Sequence, residues 1–61
     1  MNLIKEILEA KGKSQGWLSK NSGVSRPHLN RIVNNKIDPS LLTAKKIAKV
    51  LGCNVETIWP H

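Results

Sequence analysis

The chain has 61 residues, with ten Lys and Arg against four Asp and Glu, for a formal charge of +6. A chain of this length makes one small domain and buries only about 60% of the surface that its unfolded form exposes, which excludes a two-lobed catalytic cleft. No apolar run approaches the ~20 residues that span a bilayer and no charged-then-apolar leader opens the sequence, while the single cysteine, Cys53, excludes an internal disulfide framework and fits a reducing cytoplasm.

Leu3, Ile4, Ile7 and Leu8 recur at helical spacing, which predicts an amphipathic helix from Asn2 to about Lys11, capped by Asn2 and ended by Gly12. Ser14 is the next start signal, for a helix from Gln15 to Ser22 with Leu18 inward and Gly23 at its end. A chain that stops one helix and begins another within about three residues needs a positive φ, which glycine adopts without a Cβ penalty. Val24 then plugs the core, and Ser25 caps a third helix that runs to Asn34-Asn35. Pro27 falls in its first turn, where the missing N–H has no acceptor to lose. After the loop 36–39, Ser40 caps a fourth helix from Leu41 to Leu51, ended by Gly52. Asn54 caps a short fifth helix through Trp59, and Pro60 stops it. No stretch alternates with period two, so the expected fold is all-α. Its expected core is Leu3, Ile7, Leu8, Leu18, Val24, Leu29, Ile32, Leu41, Ala44, Ile47, Ala48, Leu51, Val55 and Ile58.

The charge has a location. Lys11, Lys13, Lys20, Arg26, Arg31 and Lys36 fall between Ala10 and Ile37, a stretch without Asp or Glu, whereas the cations outside it are balanced by carboxylates. A confined basic segment points to a face that meets a polyanion. At ~100° per residue, Leu29, Ile32 and Val33 share one side of the third helix, and Pro27, Asn30, Arg31 and Asn34 share the other, with Arg26 and His28 at the flanks. The outward side holds no carboxylate, and a helix presented in this way fits the DNA major groove, ~12 Å wide.

The pieces L-I-K-E-I-L-E-A-K-G, S-Q-x-x-L, G-V-S-R, N-x-K-x-x-P-S-L, K-I-A-K-V-L-G and V-E-T-I-W follow one another through nearly the whole chain. In that order and spacing, the sequence resembles the Cro and lambda-repressor-like helix-turn-helix family, also called the xenobiotic-response-element family, of bacterial and phage regulators. The resemblance implies a five-helix DNA-binding domain over residues 1–61 with the helix-turn-helix at helices 2 and 3 and the recognition helix at 26–34. It implies that Gln15 holds phosphate and braces the reading helix, that Arg26, Pro27 and Arg31 face bases, and that Asn34 and Lys36 meet the phosphate backbone. Asn30 shares the outward side and joins the base-reading set; Ser25 and His28, at the start and flank of the helix, join the phosphate set. Arginine can donate two parallel bonds to guanine, worth ~1–3 kcal/mol of discrimination, whereas Pro27 reads only shape or a thymine methyl. The chain departs from the family's usual residues at Lys13 (apolar), Trp17 (acidic) and Ser19 (alanine). Trp17 removes a capping-box glutamate and is expected to cover the gap left at Lys13, while Gly16 costs the second helix ~1 kcal/mol relative to alanine.

The expected partner is double-stranded DNA carrying a palindromic operator. The chain would bind it as a homodimer, at least on DNA, and act as a repressor of phage or mobile-element type in the cytoplasm, associated with the nucleoid. The family often dimerises through its fifth helix and the preceding loop, which offers Asn54, Val55 and Trp59 as subunit contacts, against a plain core role for Trp59. The competing reading is an antitoxin or protein-interaction module that neutralises a partner. Membrane and RNA binding are weaker still, since the outward side lacks an apolar stripe and the chain has no Tyr or Phe for stacking. Lys45, Lys46 and Lys49 read as a solvated stripe, with Leu42 beside them. Cys53, His28 and His61 have no recognisable zinc spacing, and no phosphate loop, paired carboxylate or nucleophile–base pattern is present. No catalytic residue, cofactor, metal or small-molecule ligand is expected.

Overall fold

Serine caps set where most of the helices begin. In the computed structural model, which describes residues 1–60, the chain forms α1 (Ile4–Lys11), α2 (Gln15–Ser22), α3 (Arg26–Val33), α4 (Leu41–Leu51) and α5 (Val55–Ile58), with no strand among the described residues. His61, weighed above as a metal ligand, lies outside them. The Oγ of Ser14 accepts from the Trp17 N–H at 3.1 Å, that of Ser25 from His28 at 3.4 Å and that of Ser40 from Thr43 at 3.2 Å. Each satisfies one of the donors that a helix start leaves free. Asn54 differs from expectation, because its side chain makes no capping bond. α5 is a single turn, and the Asn54 carbonyl closes it by accepting from Thr57 and Ile58.

α1 begins at Ile4, two residues later than its apolar spacing suggests. Leu3 and Ile7 form one i,i+4 stripe, and Ile4 and Leu8 the next stripe round the helix. The structure turns the Ile4/Leu8 stripe inward; Ile7 is half-buried and Leu3 is exposed. A second correction falls at Leu41, which is 65% exposed, as is Leu42. Burial in α4 begins only at Ala44, one turn in, because the first turn projects beyond the packed layer. Val55 is half-buried rather than central, and Val33, left out of the expected core, is buried beside Leu29 and Ile32.

The centre holds Ile4, Leu18, Leu29, Ile32, Ile47, Leu51 and Ile58, each fully enclosed. α2 packs against both α3 and α4, and α5 closes on α4. The Leu3 N–H donates to the Ile58 carbonyl at 2.8 Å, which ties the start of the chain to the end of the last helix. Burying each Leu or Ile contributes about 1.5–3 kcal/mol, so this cluster is the main source of stability in a body only 25 × 22 × 18 Å.

Candidate nucleic-acid interface

The turn between α2 and α3 decides how α3 is presented. Gly23 has φ +77°, and its N–H donates to the Ser19 carbonyl at 3.0 Å. A Cβ there would meet nothing within 4 Å, so the demand for glycine is conformational and not a matter of space. The Ser19 hydroxyl donates to the Val24 carbonyl, and the Val24 N–H donates to Ser22 Oγ at 3.3 Å. Val24 itself is buried. The corner is thus held by backbone, by side chains and by an apolar plug. In the sequence Ser19 shows only as a departure from alanine; its role as a brace comes from the Val24 carbonyl that the turn brings to it.

On α3, Leu29, Ile32 and Val33 face the core, and Arg26, Pro27, His28, Asn30 and Arg31 are exposed. Ser25, Asn34 and Lys36, just outside the helix, are exposed too. The Ser25 hydroxyl is an acceptor in its cap and keeps its own proton to donate outward. Arg26 folds back across the first turn of α2, its Cζ 3.6 Å from where a Cβ on Gly16 would stand. This brings the start of α3 against the start of α2, where Gln15 is half-buried. Asn34 Nδ2 donates to the Asn30 carbonyl at 2.9 Å, which leaves one amide proton free.

The end of α3 is a Schellman turn built on asparagine. Asn35 has φ +59°, its N–H donates to the Ile32 carbonyl at 3.1 Å, and the Lys36 N–H donates to the Arg31 carbonyl at 2.8 Å. The turn sets the backbone path by which the chain passes from α3 into Lys36. The Asn34-Asn35 pair carries a legible signal for this, since asparagine is the commonest substitute for glycine in the left-handed region.

Lys13 places its ammonium 5.3 Å from the centroid of the Trp17 ring, a cation–π contact worth about 0.5–1 kcal/mol at an exposed site. Trp17 is half-buried and packs on the core, and with Asn21, Ser22, Lys46, Lys49 and Val50 it lines a shallow groove. Asn54, Val55 and Trp59 stand apart from the α3 set, on and around α5: Asn54 is exposed, and Val55 and Trp59 are half-buried against the core. Among the described residues no three His, Cys, Asp or Glu side chains gather as metal ligands, and no helix is long and apolar enough to cross a membrane. Apart from Pro27, which has no donor, the exposed α3 side carries two guanidinium groups, an imidazole and an amide and no carboxylate, suited to an anionic partner.

The family profile described as "Helix-turn-helix" matches residues 4–58, from the first residue of α1 to the last of α5. The chain is 40% identical over 60 residues to YopS of Bacillus subtilis strain 168, named as an SPbeta prophage-derived uncharacterized HTH-type transcriptional regulator; the match covers 93% of this chain and 78% of the relative. It is also 40% identical over 58 residues to an uncharacterized HTH-type transcriptional regulator of Methanocaldococcus jannaschii, across 95% of this chain and 88% of that one. A glycine corner that holds out a basic helix and a match through all five helices agree: the chain belongs to the Cro- and lambda-repressor-like helix-turn-helix family of DNA-binding transcription regulators.

Proposed function

We propose that this chain, as a single domain, binds a specific duplex sequence by laying α3 in the major groove. Arg26, Pro27, Asn30 and Arg31 read base edges, and Gln15, Ser25, His28, Asn34 and Lys36 hold phosphates on either side. The observation that supports this best is the exposed, carboxylate-free side of α3, braced by the Gly23 corner and anchored by Leu29, Ile32 and Val33. Phosphate contacts set the register of such a complex, and base contacts set its preference. One helix reads few base pairs, so the functional unit is a homodimer on a palindrome, joined around Asn54, Val55 and Trp59, with half-sites ~34 Å apart. Repression follows where the occupied site overlaps a promoter, and the prophage origin in the name of YopS supports a phage or mobile-element setting.

The test is selection from random duplexes followed by titration against salt. Arg31→Ala costs about 1–3 kcal/mol on the selected sequence and relaxes preference at one base pair. Lys36→Ala weakens all sequences alike and lowers the salt slope by about 1. If neither change alters binding, these roles are wrong.

A further inference from the structure

Asn2 is the only polar side chain buried among the described residues, at 8% exposure, and it makes three bonds at once. Its Oδ1 accepts from the Ile4 N–H at 3.1 Å, at the start of α1. Its Nδ2 donates to the Ile32 carbonyl at 2.8 Å and to Asn35 Oδ1 at 3.1 Å. Chemistry fixes the orientation of this amide, because a backbone N–H only donates and a carbonyl only accepts, so a flip would set like against like at both. The two distant partners are the end of α3. Ile32 lies in its last turn, and Asn35 is the left-handed corner from which Lys36 departs. Backbone bonds form the turn at Asn35, and Asn2 is what the Asn35 side chain meets.

We propose that Asn2 is a positioning residue for DNA binding: its carboxamide clasps the end of α3 to the start of α1 and so fixes the direction in which Lys36 is delivered to the phosphate backbone. The proposal rests on the role given to Lys36 above. The cap position of α1 is Leu3, without a side-chain capping bond, and not Asn2 as its sequence suggests; the Oδ1 bond of Asn2 serves the helix start, and its two Nδ2 bonds are an added, separable function.

Two variants separate them. Asn2→Ser keeps a neutral hydroxyl acceptor for the Ile4 N–H but is too short to reach the Ile32 carbonyl and Asn35 Oδ1, which opens the clasp without adding charge. Asn35→Gly relieves the backbone at φ +59° and removes the bond that holds the Lys36 corner itself, leaving the bond to the Ile32 carbonyl in place. Each is titrated with the duplex that the wild-type chain selects from a random pool, across a range of KCl and below its own unfolding midpoint. Both variants are expected to bind roughly tenfold more weakly, the scale of one charge-assisted hydrogen bond, with a salt slope lower by about 1. Adding Lys36→Ala to either then costs less than about twofold more, although Lys36→Ala alone costs about tenfold, since groups that act as a unit are not additive. If both variants, corrected for folded fraction, bind like wild type, or if the Lys36→Ala loss persists in full in their background, the clasp is only structural and the proposal is overturned. Should Asn2→Ser fail to fold, Asn35→Gly decides alone. A wild-type chain that selects no duplex, or a Lys36→Ala change without effect in it, overturns the underlying reading of Lys36, and that result is distinct from failure of the clasp.

Discussion

Gly16 stands where the local chain and the interface make different demands. Glycine in the first turn of α2 weakens the helix, yet it also leaves the space into which the Arg26 guanidinium folds. A Cβ there would lie 3.6 Å from both Arg26 Cζ and Ser14 Oγ, which is ordinary van der Waals contact. Gly16→Ala should therefore stabilise the fold by about 0.5–1 kcal/mol, read as a rise of several degrees in the midpoint of thermal unfolding by circular dichroism. A fall in the midpoint would mean that Arg26 needs more room than the free chain shows. Single side chains were also where the sequence was hardest to read. Ser19 and Asn2 act through partners five and thirty or more residues away, and the spacing of residues along one helix says nothing of a carbonyl on another. The caps at Ser14, Ser25 and Ser40 were legible because their partners lie three residues on.

Among the helices, existence and order follow from apolar period and capping, and the deviations lie at the ends. Two adjacent apolar stripes on α1 differ by one step of about 100°, too little for periodicity to choose between Leu3/Ile7 and Ile4/Leu8. The position of α5 settles it by binding the Leu3 N–H and turning Ile4 inward. Leu41 has the right spacing for burial and lacks a neighbour to bury it. The corner at Gly23 is more demanding than its open surroundings suggest. Gly23→Ala should cost about 1–2 kcal/mol in a urea melt, because φ +77° crowds an L side chain whatever the space outside. Gly23→Asn should lose less, given that Asn35 already holds φ +59° in the same chain. Equal losses would place the cost in packing instead.

Across the entire body, stability depends on very few side chains. Leu18 is fully enclosed between helices, and Leu18→Ala should cost about 2–5 kcal/mol, comparable to the 3–5 kcal/mol that a core of this size supplies. The variant should be largely unfolded at 25 °C by far-ultraviolet circular dichroism; a cooperative melt near the wild-type midpoint would contradict the packing described. The five-helix architecture and the outward side of α3 were readable from the sequence, because they rest on period and on the absence of carboxylates between Ala10 and Ile37. How the ends of α1 and α3 are joined was not, since only the folded chain brings them together.

The overall dimensions also limit how much text one copy can read. At 3.4 Å per base pair, a longest extent of 25 Å spans about seven pairs. Even if every pair were distinguished, such a word recurs by chance roughly once in 16,000. A genome that offers on the order of a million competing positions would hold dozens of false addresses. Two copies set side by side square that ratio to about one in 10⁸, and the ambiguity disappears.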